Sequence, residues 1–332
     1  MRPFHYTQTG DAPTSVRMAT GAAPGATQYI AGGTTLLDLM KLGTMAPGTL
    51  VDINALQSRH GQIVADAQGL HFGALVRMAQ AASHPGVQRD YPVIAQSLAQ
   101  AASPQLRNMA SLGGNVLQRT RCQYFRDPAW SACNKRAPGS GCAALDGVNR
   151  KHAVLGGSDR CIAAYPGDFA VALTALGASV ETLGAEGSRT IPIEQLHLDS
   201  SRPDIETVLR PGELITGFSI PAGNWTRRSL YLKIRDRQSY AFALASAAVA
   251  LDLDGGQVRS ARIALGGLAY RPWRANEAEA VLVGQPLNRD TATAAASAAF
   301  SHARPRPGNA AKVELGRRML VRALLATGSM AV

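Results

Sequence analysis

Apolar periodicity runs through most of this chain but fades over residues 119–161, called the cysteine segment below. Proline, glycine, asparagine and arginine accumulate there. Irregular loops of this length are uncommon inside compact domains and are usually functional or disordered. All four cysteines of the chain fall in the segment, at Cys122, Cys133, Cys142 and Cys161. We therefore expect an inserted loop that is organised through its thiols.

The spacing of the cysteines excludes the common metal motifs. Ten, eight and eighteen residues separate neighbouring cysteines, so there is no Cys-x-x-Cys pair. This matches neither a zinc ribbon nor a ferredoxin. Zinc, two disulfides and free thiols stay open as alternatives. Four thiolates in a loop with few other means of folding suit a [4Fe–4S] cluster, whose negative charge the flanking arginines and lysines would offset.

A glycine turn near the N-terminus separates a predicted strand from a predicted helix. Residues 28–31 form the strand, residues 32–35 (GGTT) the turn, and a helix starts at Leu36 before a second strand at 50–53. Glycines let backbone N–H groups approach a phosphate, and the helix dipole favours the anion. The turn is neither a Walker loop nor Gly-x-Gly-x-x-Gly. A plain turn with a threonine N-cap is the alternative.

A second glycine pair, Gly113-Gly114, stands between the hydrogen-bonding side chains of Ser111 and Asn115. Two such loops would grip a diphosphate from opposite sides. A turn at the end of a strand is the alternative interpretation.

The C-terminal region predicts a sheet followed by helices. Residues 240–253 and 257–268 flank Asp254-Gly255-Gly256, which is a strong signal for a β-hairpin turn. A domain boundary is placed near residue 223. Helical spacing follows the hairpin at about 274–284, 290–302 and 309–326.

The net charge of +11 bears on possible partners. Nucleic-acid binding requires clustered Lys and Arg, but the arginines here are spread out and aromatic residues make up only 5%. We expect no nucleic-acid partner and favour a basic surface that docks acidic subunits or accompanies anionic cofactors. The seven histidines lack metal-ligand spacing and are predicted to be surface or capping residues.

Three segments carry a further signal when they are taken together: residues 31–34 (AGGT), 105–115 (QLRNMASLGGN) and 166–168 (PGD). They resemble the FAD-contacting segments in the flavin subunits of molybdenum hydroxylases, the family of xanthine dehydrogenase, CO dehydrogenase and aldehyde oxidoreductase. Residues 231–234 (YLKI) and 261–267 (ARIALGG) are similar to the C-terminal flavoprotein domain of that family. The resemblance spans nearly the whole chain.

The resemblance implies an α+β fold with two domains. A bipartite FAD-binding domain of the PCMH/VAO type would occupy residues 1–223, with a small β–α–β part at about 1–55 and a larger part at about 56–223. The cysteine segment would be inserted in the larger part. A CO dehydrogenase flavoprotein C-terminal α/β domain would occupy residues 224–332.

The resemblance also implies the FAD contacts. Residues 30–36 would hold the pyrophosphate and residues 111–115 would cradle the cofactor from the opposite side. Asp168 would accept a hydrogen bond from a cofactor hydroxyl; the alternative is that it caps the N-terminus of a helix. Lys233 would reach the flavin, with a solvated strand position as the alternative. The predicted contacts are Ile30, Ala31, Gly32, Gly33, Thr34, Thr35, Leu36, Ala101, Ser111, Leu112, Gly113, Gly114, Asn115, Asp168, Ile215 and Lys233.

Part of the family, resembling the periplasmic aldehyde oxidoreductases, carries an additional [4Fe–4S] cluster in the flavin subunit. Residues 118–125 and 133–135 look like that subset. The likeness implies that Cys122, Cys133, Cys142 and Cys161 are the cluster ligands.

The implied activity is electron transfer, with no catalytic residue on this chain. A large molybdenum-cofactor subunit would oxidise an aldehyde or N-heterocycle, and electrons would pass from a small [2Fe–2S] subunit through FAD to an external acceptor. A stand-alone flavin oxidase or dehydrogenase and a metal-dependent nucleic-acid binder are the alternatives.

Targeting signals are not evident in the sequence. No apolar run approaches the ~18 residues that cross a bilayer, and the first residues lack the layout of a signal peptide. We expect no membrane span and a cytoplasmic location, or a periplasmic one reached by co-export with a signal-bearing partner.

Overall fold

The computed structural model describes residues 1–23 and 25–332, and their strands form three sheets. The first sheet is parallel, and both outer strands pair with the central one, which confirms the predicted β–α–β unit. Its order is β1-β3-β2, with the elements β1 (His5–Gln8), α1 (Ala12–Ala19), β2 (Thr27–Ile30), α2 (Leu36–Lys41) and β3 (Thr49–Asp52).

The second sheet is antiparallel and has five strands in the order β4-β5-β8-β6-β7. These are β4 (Ile63–Asp66), β5 (Gly69–Gly73), β6 (Ser179–Gly184), β7 (Gly187–Pro192) and β8 (Leu214–Pro221). Short helices connect them: the 3-10 helix Asn54–Leu56, α3 (Gln57–His60), α4 (Met78–Ser83), α5 (Pro85–Asp90), α6 (Pro92–Ala99), α7 (Pro104–Met109), α8 (Leu112–Val116), α9 (Gln123–Arg126), α10 (Phe169–Leu176) and α11 (Ile193–Leu196).

The third sheet is an antiparallel sheet of four strands, followed by three helices. The predicted hairpin is confirmed: Asp254 pairs with Gln257, and both turn glycines have positive φ, 55° at Gly255 and 86° at Gly256. The elements are β9 (Ser229–Ile234), β10 (Ala245–Asp254), β11 (Gln257–Gly266), β12 (Trp273–Arg274), α12 (Asn276–Leu282), α13 (Arg289–Ala299), the 3-10 helix Pro307–Asn309 and α14 (Ala311–Gly328).

Helix α10 joins the second and third sheets into one core. All eight of its residues are buried. On one side, Phe169 packs edge-on against Phe72 of β5 and Phe218 of β8, at ring distances of 6.1 and 5.7 Å. On the other side, Ala248 and Ala264 of the third sheet belong to the same buried cluster. The opposite face of the third sheet packs on α12, α13 and α14.

The cysteine segment is irregular, as predicted. Its one helix among the described residues is the single turn of α9. Isolated backbone hydrogen bonds connect it to its surroundings, for example the one from the Val154 N–H to the Leu268 carbonyl at 2.8 Å. Among the described residues, no helix combines the length and apolar character that a membrane crossing requires.

Candidate cofactor sites

A cleft of about 240 Å³ opens between the loop after β2 and the N-terminal turn of α8. Its walls therefore come from the two glycine loops that the sequence singled out. Its lining consists of Gln28, Tyr29, Ile30, Ala31, Gly32, Gly33, Thr34, Thr35, Leu36, Leu39, Met45, Ile53, Ala74, Leu75, Ala110, Ser111, Gly113, Gly114, Asn115, Leu117, Arg119, Glu213, Leu214 and Ile215.

Glycine is required where the two loops touch. A Cβ on Gly32 would lie 1.9 Å from the Met109 carbonyl oxygen, which no side chain tolerates. Gly33 has φ +69°, a conformation that favours glycine. Backbone groups of the loop can consequently face the cleft without a side chain in front of them. This is the arrangement that phosphate binding by backbone N–H groups requires.

An arginine that the sequence analysis missed holds the loops together. Arg77 donates from Nη1 to the Met109 carbonyl at 2.7 Å and from Nη2 to Asn54 Oδ1 at 2.8 Å. Asn54 in turn donates from Nδ2 to the Ala31 carbonyl at 3.1 Å. These contacts connect positions 23 and 32 residues apart. No local pattern in the sequence could have revealed them.

Polar groups at the α8 end of the cleft fit an anionic, hydrogen-bonding cofactor. Ser111 caps α8 by accepting the Gly114 N–H at 3.2 Å. Asn115 Oδ1 is buried and has no hydrogen-bond partner within residues 1–23 and 25–332. Arg119 and Glu213 also belong to the lining, and each is paired with an opposite charge, Arg119 with Glu206 at 2.9 Å and Glu213 with Arg189 at 2.6 Å. The N–H groups of the glycine loops and the unpaired Asn115 oxygen thus fit a dinucleotide that carries both phosphates and hydrogen-bond donors.

Most of the predicted FAD contacts meet in this cleft, but four do not line it. Ala101 and Leu112 are buried in the core, at 5% and 0% exposure. Asp168 and Lys233 bind each other. The predicted contacts that do line the cleft are Ile30, Ala31, Gly32, Gly33, Thr34, Thr35, Leu36, Ser111, Gly113, Gly114, Asn115 and Ile215.

Asp168 and Lys233 form a buried ion pair between α10 and β9. Lys233 Nζ lies 2.8 Å from Asp168 Oδ2 and 3.1 Å from the Gln100 carbonyl, and the Tyr231 hydroxyl donates to Asp168 Oδ1 at 2.6 Å. Burial raises the pKa of Asp168, and the charge of Lys233 opposes that rise. Asp168 stands at the N-cap position of α10, but its side chain makes no capping bond. Contact with a cofactor remains a prediction for both residues.

The cysteine segment brings its four thiols into one region. The backbones of Cys133 and Cys142 form an isolated antiparallel β-bridge. Cys122 packs in three small hydrophobic clusters, each of which contains one of the other three cysteines. All four cysteines are free thiols. No set of three or more His, Cys, Asp and Glu side chains in the described part of the chain has the arrangement of a metal site.

Backbone donors surround the thiols. Burial raises the pKa of Cys122 to about 11. Backbone N–H donors in the turn of α9 lower this pKa, but their effect is smaller than that of burial. A hydrogen bond from the Cys161 thiol lowers the pKa of Cys142, and that bond together with burial raises the pKa of Cys161. N–H groups directed at sulfur suit thiolates that carry negative charge. The donors belong to Tyr124, Phe125, Ala144, Leu145, Ile162 and Ala163.

Two histidines are buried, although all seven were predicted to be surface or capping residues. His152 and His197 are each 6% exposed, and burial lowers the pKa of both to about 4. His152 Nε2 lies 3.1 Å from Cys122 Sγ, and His197 Nε2 lies 3.2 Å from the Val116 carbonyl. The prediction was wrong because thirty and eighty-one residues separate these partners in sequence.

Family models match both parts of the chain. The FAD binding domain in molybdopterin dehydrogenase matches residues 5–223, and the CO dehydrogenase flavoprotein C-terminal domain matches residues 230–329. With the glycine cleft, these matches define an FAD-binding flavoprotein. The chain belongs to the FAD-binding medium subunits of the molybdenum hydroxylases, which are oxidoreductases.

Individual relatives agree with this family. The chain is 45% identical to the aldehyde oxidoreductase FAD-binding subunit PaoB of Escherichia coli (strain K12), covering 98% of both chains. It is 27% identical to the glyceraldehyde dehydrogenase medium chain of Sulfolobus acidocaldarius, over 84% of this chain and 81% of that one. The fold is similar to carbon monoxide dehydrogenase from Hydrogenophaga pseudoflava, with TM-score 0.76, 25% identity and coverage of 98% and 97%.

A substitution at Gly114 tests whether FAD occupies the cleft. A Cβ there would meet only Ser111 Oγ, at 3.0 Å, so Gly114→Leu fills the cleft and leaves the core intact. We expect flavin content, measured after denaturation, to fall well below one per chain, because the leucine side chain would occupy space that the cofactor needs. The control is Gly10→Leu, where a Cβ meets nothing within 4 Å. Full flavin in Gly114→Leu would place the cofactor elsewhere.

The ion pair of α10 gives a second prediction. Lys233→Met leaves the buried carboxylate of Asp168 without a charged partner. It should lower the free energy of unfolding by about 3–5 kcal/mol. Lys233→Met combined with Asp168→Asn should recover most of that loss, because no charge is left unpaired. Denaturant unfolding measures both variants, and equal loss in the two would contradict the ion-pair explanation. Flavin content of the stable double variant then reports whether the pair also contacts FAD.

Proposed function

We propose that this chain is the FAD- and [4Fe–4S]-containing electron-transfer subunit of a molybdenum-dependent aldehyde oxidoreductase. In this proposal it passes electrons from a small [2Fe–2S] subunit, through FAD, to an external acceptor. A large molybdenum-cofactor subunit oxidises the substrate. The aldehyde assignment is supported by the name of the 45% identical relative, and an N-heterocycle is the alternative substrate class.

One observation carries the proposal: Cys122 and Cys133 lie directly behind the wall of the cleft. Leu39 and Met45 line the cleft, and the same two side chains pack in a cluster with Phe125, Cys133 and Cys122. Two redox groups held on the two sides of this wall would be separated by one layer of side chains.

A polar bridge crosses the same wall. Arg119 lines the cleft and stacks on the Phe125 ring, with Cζ 4.5 Å from the ring centroid. Its Nε donates to Glu206 at 2.9 Å, and Glu206 also accepts from Lys135 Nζ at 2.7 Å. Lys135 is buried and stands two residues after Cys133. The bridge therefore fixes the cysteine segment relative to the cleft and places positive charge beside both.

The chain's own residues have distinct roles in this proposal. The loops at 30–36 and 111–115 bind and orient FAD through backbone donors, and Arg119 offsets its negative charge. Bound FAD supplies the exchange between two-electron and one-electron transfer, which no amino acid side chain of this chain provides. The four cysteines supply the thiolates that a [4Fe–4S] cluster needs, and the surrounding N–H groups stabilise their charge.

Cofactor analysis of the anaerobically purified chain tests the proposal. We expect one FAD and about four irons per chain, the composition of a single [4Fe–4S] cluster. Cys133→Ser should remove the iron while leaving the FAD, because it deletes a ligand on the far side of the wall. Val148→Ser is the control, since Val148 is a 70% exposed residue of the same segment. Four irons retained in Cys133→Ser would refute the cluster assignment.

The location of the complex is a separate proposal. We propose that the chain is cytoplasmic or reaches the periplasm only as a passenger of a partner that carries an export signal. A tagged chain should co-purify with the two partner subunits. Deleting the partner's signal should move any periplasmic fraction to the cytoplasm. Periplasmic chain in the absence of every partner would contradict this proposal.

A further inference from the structure

The C-terminal domain holds part of the cysteine segment through a buried lysine. Lys312, in the first turn of α14, is 4% exposed. Its Nζ donates to three backbone carbonyls: Gly267 at 2.6 Å, His152 at 2.9 Å and Lys151 at 3.2 Å. An ammonium has three N–H donors, so this one is fully occupied. The side chain thereby fixes the backbone at residues 151–152.

Other contacts from the same domain hold the neighbouring backbone. Asn309, 1% exposed, donates from Nδ2 to the Ala153 carbonyl at 3.1 Å. Arg150 pairs with Asp236 at 2.7 Å. Together with Lys312, these contacts attach residues 150–153 to the C-terminal domain on both sides of His152.

The His152 ring extends from this attached stretch to Cys122. Its Nε2 lies 3.1 Å from Cys122 Sγ, which is hydrogen-bond distance for sulfur. Its Nδ1 is buried and has no partner among residues 1–23 and 25–332. A neutral imidazole carries one N–H. A cysteine sulfur that binds iron carries no hydrogen, so a hydrogen bond between these two atoms then requires the hydrogen on Nε2.

We propose that His152, held by Lys312, donates its Nε2–H to the Cys122 sulfur and thereby raises the reduction potential of the cluster that Cys122 binds. The inference rests on the proposed function, because it requires the cluster. Hydrogen bonds to ligand sulfurs and solvent exposure help to set iron–sulfur potentials. A donor stabilises the more negative, reduced form. His152 is a positioning residue and takes no part in the oxidation itself.

The test is a redox titration of the cluster in the purified complex, followed by electron paramagnetic resonance. His152→Phe keeps a ring in the cavity but has no N–H, and we expect a lower midpoint potential with iron content unchanged. His152→Gln retains an N–H donor and should return the potential toward the wild-type value. Lys312→Met should lower the potential, because the backbone that orients the imidazole is released.

His197→Phe is the matched control. His197 is equally buried and bonds a carbonyl oxygen at 3.2 Å in place of a sulfur, so its replacement should leave the potential unchanged. An unchanged potential in a fully loaded His152→Phe overturns the inference. An equal shift in His197→Phe also overturns it, because the effect would then be general packing.

The iron content of each variant shows whether the cluster is still bound. If His152→Phe loses its iron, the test uses the Lys312→Met variant instead. A lowered midpoint potential of its cluster supports the inference, and an unchanged midpoint potential overturns it. Absence of iron from the wild-type chain would instead refute the proposed function, on which this inference depends.

Discussion

The burial of α10 between two sheets is the packing constraint on which the rest of this structure depends. Each of its eight residues is buried, so the helix has no solvent face and both sheets must close on it. The Asp168–Lys233 ion pair, beside the start of α10, ties β9 to it. Because only residues 162–168 separate the cysteine segment from this helix, the position of α10 also limits where that segment must return.

The sequence predicted those features that are encoded within a few residues. The turn at 32–35 and the hairpin at 254–256 were predictable because glycines with positive φ leave a local signature. The irregular cysteine segment was visible from its lack of apolar spacing. The convergence of 30–36 and 111–115 on one cleft was suggested by the two glycine pairs and implied by the family resemblance, because no local pattern shows that distant loops meet.

Side-chain partners distant in sequence escaped prediction. Arg77, which fastens the two loops, has no motif of its own. His152 was expected at the surface because a histidine in a polar stretch gives no sign of burial. Lys233 was expected at the flavin, and its buried pairing with Asp168 depends on the approach of β9 to α10. Each of these contacts follows from tertiary packing, which no periodicity or spacing records.

The fastening of residues 151–152 by Lys312 has a consequence for biosynthesis. About 160 residues separate these partners in the chain. Translation proceeds from the N-terminus, so the cysteines emerge from the ribosome long before α14 exists. The contacts that fix residues 151–152 therefore cannot form until almost the whole polypeptide has been made. The cysteine segment is thus among the last parts of the chain to be fixed in place, although it lies in the first half of the sequence.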